Sequence, residues 1–162
     1  MTCSMVVNSK SGNTRMVSGA IKRALTAAGV EFIHAAAVCD TMDRDQIEVE
    51  ARAASAADVV LVGFWCDKGT CASSIADLLS KLSGKRVFLF GTCGFGSSEA
   101  YFKQIIDRVS SNLPLDAELV GWAMCQGKMG PAVRERYEAM LEDNPEDERA
   151  RMLIENYDVA KS

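Results

Sequence analysis

An α/β domain wound around a parallel sheet is the fold class this sequence predicts, and three observations carry it. Five short apolar runs alternate along the chain with segments whose apolar residues recur at helical spacing. Two of those runs, Val59-Val60-Leu61-Val62-Gly63-Phe64 and Arg86-Val87-Phe88-Leu89-Phe90-Gly91, are nearly unbroken, as strands covered on both faces are. Enough chain lies between consecutive runs for a helical crossover, so the connections are right-handed βαβ units rather than hairpins.

The first run, Met5-Val6-Val7, leads into Ser9-Lys10-Ser11-Gly12-Asn13-Thr14. Met16, Val17, Ala20, Ile21, Ala24, Leu25 and Ala28 then share one helical face. The hexapeptide is therefore a strand-to-helix turn that sets one glycine among hydroxyl and amide side chains. Backbone N–H groups at a helix N-terminus, with the positive end of the helix dipole, favour an anion by about 0.3–1 kcal/mol per exposed charge. The plainer alternative is that Asn13 or Thr14 simply caps the helix. Gly29 ends that helix, and Glu31–Ala37 reads as the second strand, with His34 inside it as a structural residue.

An alanine-rich helix over 45–57, carrying Ile47 and Val49, precedes Asp58 and the third strand. The loop Trp65-Cys66-Asp67-Lys68-Gly69-Thr70-Cys71 follows. Ser73 or Ser74 opens a helix bearing Ile75, Leu78, Leu79 and Leu82, and Ser83-Gly84 closes it. Beyond the fourth strand, Thr92-Cys93-Gly94-Phe95-Gly96-Ser97-Ser98 forms a second glycine-rich loop before a helix with Tyr101, Phe102, Ile105, Ile106 and Val109. Pro114 breaks the chain ahead of the fifth strand, near 118–124. Gly130-Pro131 and Asn144-Pro145 each start a further helix, the second ending near Tyr157. Residues 126–162 are thus expected as a helical extension of a single domain over 1–162, one that packs on the core, closes over the site or builds a dimer.

Composition narrows the function. A chain of 162 residues, 48% apolar and 25% charged, suffices for one full core, and no apolar run approaches the roughly 18 residues of a membrane span. The first residues lack the charged-then-apolar pattern of a secretory signal, so a cytoplasmic protein is expected. A net charge of −4 argues against a nucleic-acid partner. Cys3, Cys39, Cys66, Cys71, Cys93 and Cys125 form no Cys-x-x-Cys pair, and the chain has one histidine, so metal and iron–sulfur patterns are absent. Buried thiols in a reducing compartment are expected, with a Cys66–Cys71 disulfide as the alternative.

Other phosphate-handling folds fail on the same residues. No Gly-x-x-x-x-Gly-Lys-Ser/Thr loop is present, and no Gly-x-Gly-x-x-Gly follows the first strand. Response-regulator receivers need acidic residues where Asn8 and Phe64 stand. Low-molecular-weight tyrosine phosphatases need a cysteine at Ser9, six positions before Arg15, and serine lacks the thiolate's nucleophilicity.

The turn after the first strand resembles that of the flavodoxin family, whose phosphate loop is Ser/Thr-x-Ser/Thr-Gly-Asn-Thr, matched here by Ser9, Ser11, Gly12, Asn13 and Thr14. The resemblance spans roughly 3–125. It implies a flavodoxin-like doubly wound five-stranded parallel sheet in the order 2-1-3-4-5 and an FMN cofactor. FMN would be held by Ser9, Lys10, Ser11, Gly12, Asn13 and Thr14 at its phosphate. Trp65, Cys66, Asp67, Lys68 and Gly69 would flank one side of the ring, and Thr92, Cys93, Gly94, Phe95 and Gly96 the other. Trp65 occupies the place of a stacking aromatic. The third loop departs from the best-known members, holding Phe95 where they often carry a tyrosine; Tyr101 lies in the following helix.

The family implies an electron carrier working between a reductase and an acceptor enzyme, as monomer or homodimer. The alternative is an FMN-dependent NAD(P)H oxidoreductase acting on a quinone or other small molecule, and a third class is an interaction domain without cofactor. The tail 125–162 also resembles flavodoxin-like proteins of gut anaerobes found alongside tetrapyrrole reductases.

Overall fold

A computed structural model describes residues 1–9, 12–66, 69–94 and 98–126. Strands and helices alternate: β1 Thr2–Val7, α1 Asn13–Ala27, β2 Glu31–Ala37, α2 Arg44–Ala54, β3 Val59–Trp65, α3 Ser73–Ser80, β4 Arg86–Cys93, α4 Glu99–Ser110 and β5 Glu118–Gln126. The five strands form one parallel sheet in the order β2-β1-β3-β4-β5, as the flavodoxin resemblance implied. The helices expected from Gly130 and Asn144 lie outside the described residues.

Helices cover both faces of the sheet. On one, Val6, Val60, Val62, Phe64, Val87 and Leu89 pack against Ile47 and Ala51 of α2, Ile75, Leu78 and Leu79 of α3, and Ile105, Ile106 and Val109 of α4. On the other, Cys3, Met5, Val7, Leu61 and Phe90 meet Val17, Ile21 and Leu25 of α1. Each fully buried side chain of this size contributes roughly 1.5–3 kcal/mol. The unbroken apolar runs are the inner strands β3 and β4, whereas the edge strand β2 alternates in exposure throughout and the edge strand β5 only over its first residues.

Local chemistry moves several boundaries from their expected places. Gly12, at φ 88° in the left-handed region, is the N-cap of α1, so neither Asn13 nor Thr14 takes that role. The second helix starts one residue early because Asp43 and Gln46 form a reciprocal capping box, Asp43 Oδ1 accepting the Gln46 N–H at 2.9 Å and Gln46 Oε1 accepting the Asp43 N–H at 3.0 Å. It ends at Ala54 rather than 57, where the buried Ser4 hydroxyl donates to the Ala54 carbonyl at 2.7 Å. Trp65 is the last residue of β3, paired with Thr92, rather than the first of the loop. His34 hydrogen-bonds Glu50 at 2.8 Å, linking β2 to α2.

Between β3 and β4 the register sets Gly63 beside Phe90 and Phe64 beside Gly91. Phe64 belongs to one apolar layer and Phe90 to the other, so each ring lies over the glycine of the neighbouring strand on its own face. A Cβ at Gly91 would stand 2.6 Å from Phe64 Cζ and 2.8 Å from Met124 Sδ, and one at Gly63 would overlap the Phe90 ring. Gly63→Ala and Gly91→Ala are each expected to destabilise the fold by about 1–3 kcal/mol. Urea denaturation should show a lower midpoint with unchanged slope.

At the opposite end of the sheet the Thr2 N–H donates to Asp58 Oδ2 at 2.9 Å, and the Asp58 N–H donates to Thr2 Oγ1 at 3.0 Å. These bonds join the start of β1 to that of β3, and the donated Thr2 N–H holds the Asp58 carboxyl below its ordinary pKa. A carboxyl depressed in the folded state stabilises above its unfolded pKa, and that contribution is lost as pH falls through the folded value. Asp58→Asn should therefore lower stability at neutral pH, with a deficit that shrinks in acid. A deficit of equal size at both ends of the pH series would contradict this assignment.

Candidate functional site

Strand order reverses where β1 is flanked by β2 and β3, and in open α/β sheets ligands bind outside the carboxyl ends of the strands at that switch point. The chain leaves β1 through Asn8, whose N–H donates to the Gly63 carbonyl at 2.9 Å. Asn8 is buried; its Nδ2 donates to the Val38 carbonyl at 2.8 Å and to Asp40 Oδ1 at 2.9 Å, while its Oδ1 has no hydrogen-bond partner among the described residues. Ser9 Oγ accepts the Gly12 N–H at 3.0 Å and keeps its own proton to donate. Gly12 then turns the chain into α1.

Thr14 is buried beneath this turn. Its hydroxyl lies 2.7 Å from Thr92 Oγ1 and 3.3 Å from the Phe64 carbonyl, so the N-terminus of α1 is tied to the ends of β3 and β4 at once. Thr92 joins three chain segments. Besides that bond, its carbonyl accepts the Cys66 N–H at 2.8 Å, and it stands in register with Trp65 on one side and Cys125 on the other. Gly69, at φ 85°, accepts from Arg108 Nη1 of α4 at 3.4 Å through its carbonyl. Gly94 is exposed just past β4.

Of the residues expected to hold a cofactor, Ser9, Gly12, Asn13, Thr14, Trp65, Cys66, Gly69, Thr92, Cys93 and Gly94 thus fall in the three segments that leave the carboxyl ends of β1, β3 and β4. Lys10, Ser11, Asp67, Lys68, Phe95 and Gly96 lie outside the described residues. Asn8, Arg108 and Cys125 were not singled out for the site from the sequence. Asn8 had a weak signal, a polar residue closing an apolar run; Arg108 and Cys125 had none, since the fold alone brings them here.

The first turn of α1 suits a phosphate-bearing group. It carries no acidic residue, whereas α2 and α4 place Asp45 and Glu99 in theirs. Its N-cap offers no side-chain acceptor, and a Cβ built on Gly12 meets no atom of the described residues within 4 Å. Arg15 is exposed one turn in. The orphaned acceptor Asn8 Oδ1 stands beside the turn. A neighbouring cavity of about 540 Å³ between the starts of α2 and α3 suits an anion poorly, because Asp40, Asp43 and Asp77 line it against the single cation Arg44. The described residues at the start of α1 therefore fit a phosphate-bearing group at Gly12.

The thiols cluster here too. All six cysteines are unoxidised, so the Cys66–Cys71 disulfide is not formed. A hydrogen bond with Cys66, reinforced by burial and by the charges of Cys66 and Cys125, pushes the Cys93 thiol far up. Burial raises Cys71, Cys125 and Tyr101. Among the described residues no group of His, Cys, Asp and Glu is arranged to hold a metal, and no helix is long and apolar enough to cross a membrane.

Comparison with known proteins agrees with this geometry. The chain is 44% identical over 110 residues to the flavodoxin-like domain-containing protein BilS of Clostridium symbiosum, covering 64% of this chain and 57% of that one. It thus spans a little over half the length of that curated relative. Among solved structures, an azoreductase from Bacillus anthracis superposes with a TM-score of 0.57 at 12% identity over 99% of both chains. A flavoprotein in complex with FMN from Lactobacillus acidophilus gives 0.50 at 16% identity, covering 76% of this chain and 92% of that one. These likenesses show the fold. The flavodoxin domain family matches residues 4–162, nearly the whole length, and the chain belongs to it.

Proposed function

We propose that this chain holds FMN at the carboxyl ends of β1, β3 and β4 and carries electrons between a reductase and an acceptor enzyme. The observation that carries the reading is the N-terminus of α1, free of acidic residues in its first turn and with none of the described residues crowding Gly12, at the switch point of a flavodoxin sheet. When bound, FMN supplies the redox chemistry itself, and the protein binds it, orients it and sets its potential. Ser9, Lys10, Ser11, Gly12, Asn13 and Thr14 form the phosphate turn. Thr14 serves it from within, because its hydroxyl is engaged with Thr92 and its backbone belongs to the first turn of α1. Asn8 Oδ1 offers an acceptor to a hydroxyl of the ligand. Trp65, Cys66, Asp67, Lys68 and Gly69 border the ring on one side, and Thr92, Cys93, Gly94, Phe95 and Gly96 on the other.

A carrier is favoured over an enzyme with its own organic substrate because, among the described residues, the threonine hydroxyls and the Asn8 amide nitrogen at the strand ends are engaged within the protein. Thr14 and Thr92 bond each other, and the Asn8 amide serves Val38 and Asp40. None of them is left to move a proton to a substrate. The resemblance of residues 125–162 to flavodoxin-like proteins found alongside tetrapyrrole reductases supports an acceptor of that class.

FMN added to the purified chain should bind with quenched flavin fluorescence. Asn13→Asp, which sets a carboxylate against the phosphate, should weaken binding roughly tenfold or more, as expected for like charges a few ångströms apart. Equal affinity for wild type and variant would remove the phosphate from this turn. Anaerobic titration of the loaded protein should proceed in two resolved one-electron stages, with no direct oxidation of NADPH. A single two-electron stage with NADPH turnover would instead assign the NAD(P)H oxidoreductase.

A further inference from the structure

We infer that Cys66 and Cys93 form a second redox centre, a dithiol that exchanges two electrons with low-molecular-weight disulfides. The inference is independent of the flavin, since it rests on the sheet and on two side chains.

The sheet brings these residues together. Trp65 and Thr92 are the last register pair of the β3–β4 ladder, so Cys66 and Cys93 are the next residues on the two chains. The Cys66 N–H still bonds the Thr92 carbonyl at 2.8 Å, which holds the strands at sheet spacing up to this point. Parallel neighbours lie about 4.8 Å apart, inside the roughly 4.4–6.8 Å between Cα atoms that a disulfide spans. Both residues follow the alternation that puts Phe64 in the apolar layer beneath α3 and α4: Cys93 is buried there and Cys66 packs against it. Cys66 is also the neighbour that most strongly raises the Cys93 thiol, as expected of two sulfurs within reach of each other. Cys125, by contrast, is in register with Thr92 and is therefore offset by one residue from Cys93.

The two thiols are unequal in the way a dithiol exchanger requires. Cys93 is 2% exposed, whereas Cys66 is half-buried at the mouth of the loop. Cys66 and burial keep the Cys93 thiol protonated, and the half-buried Cys66 is the one of the two that a small disulfide can reach. Cys66 is thus the attacking atom and Cys93 the resolving one. Attack by the Cys66 thiolate on a small disulfide breaks its S–S bond, forms a mixed disulfide and releases one small thiol. Cys93 then attacks the Cys66 sulfur, its proton passing to the departing second thiol. Two electrons and two protons leave the pair, one Cys66–Cys93 bond forms, and the small disulfide becomes two thiols.

The test uses the full chain as purified, reduced and then equilibrated without oxygen in mixtures of reduced and oxidised glutathione. Remaining thiols are alkylated and peptides are mapped by mass spectrometry. Two of the six thiols should escape alkylation in oxidising mixtures and return in reducing ones, within a linked peptide joining Cys66 to Cys93. Cys125→Ser should leave that peptide in place, whereas Cys66→Ser should abolish it, and Cys93→Ser should leave glutathione trapped on Cys66. Six alkylated thiols in every mixture would overturn the inference, as would a Cys66–Cys71 link or stable glutathionylation of Cys66 in the wild type. The wild-type map decides the matter even where Cys93→Ser fails to fold.

Discussion

The sheet depends on an exchange of bulk between its two central strands. β3 and β4 each contribute one phenylalanine and one glycine, and the register sets each ring against the other strand's glycine. Because Phe64 serves one face and Phe90 the other, both apolar layers are filled from one strand pair without either backbone moving away. That close pairing persists to the carboxyl ends, where Trp65 and Thr92 finish the ladder and the site loops begin.

From there, polar contacts take over from packing. The Thr14 hydroxyl, buried between Thr92 Oγ1 and the Phe64 carbonyl, fixes where α1 starts relative to β3 and β4. In a buried setting a hydroxyl without a partner costs roughly 1–3 kcal/mol, so this small junction resists displacement. The start of α1 at Gly12 is thereby fixed against the ends of β3 and β4, the placement that the proposed anion site requires.

How much of this was legible in the sequence follows from what each feature depends on. The inner strands were readable because burial on both faces leaves an unbroken apolar run, and the turn at Gly12 because its chemistry sits in six consecutive residues. Helix boundaries were less so. The start of α2 depends on Asp43 and Gln46 serving each other, and its end on Ser4, a residue 50 positions earlier. Thr14 read as a cap or a phosphate donor, since nothing local reveals a partner at Thr92. The cysteines looked scattered for the same reason: strand order, not spacing, makes Cys66 and Cys93 neighbours.

The bond between Thr14 and Thr92 spans 78 residues. During synthesis the hexapeptide turn emerges well ahead of β4, so its floor is incomplete until β4 has followed it. β1 itself waits for β3 before it has a neighbour on both sides. Such long-range parallel pairings form slowly, because the intervening chain must be ordered before the contacts reward it. A segment made long before β4 is therefore among the last to reach its working shape. A nascent chain truncated before Thr92 would carry the phosphate-turn sequence without the frame that holds it open.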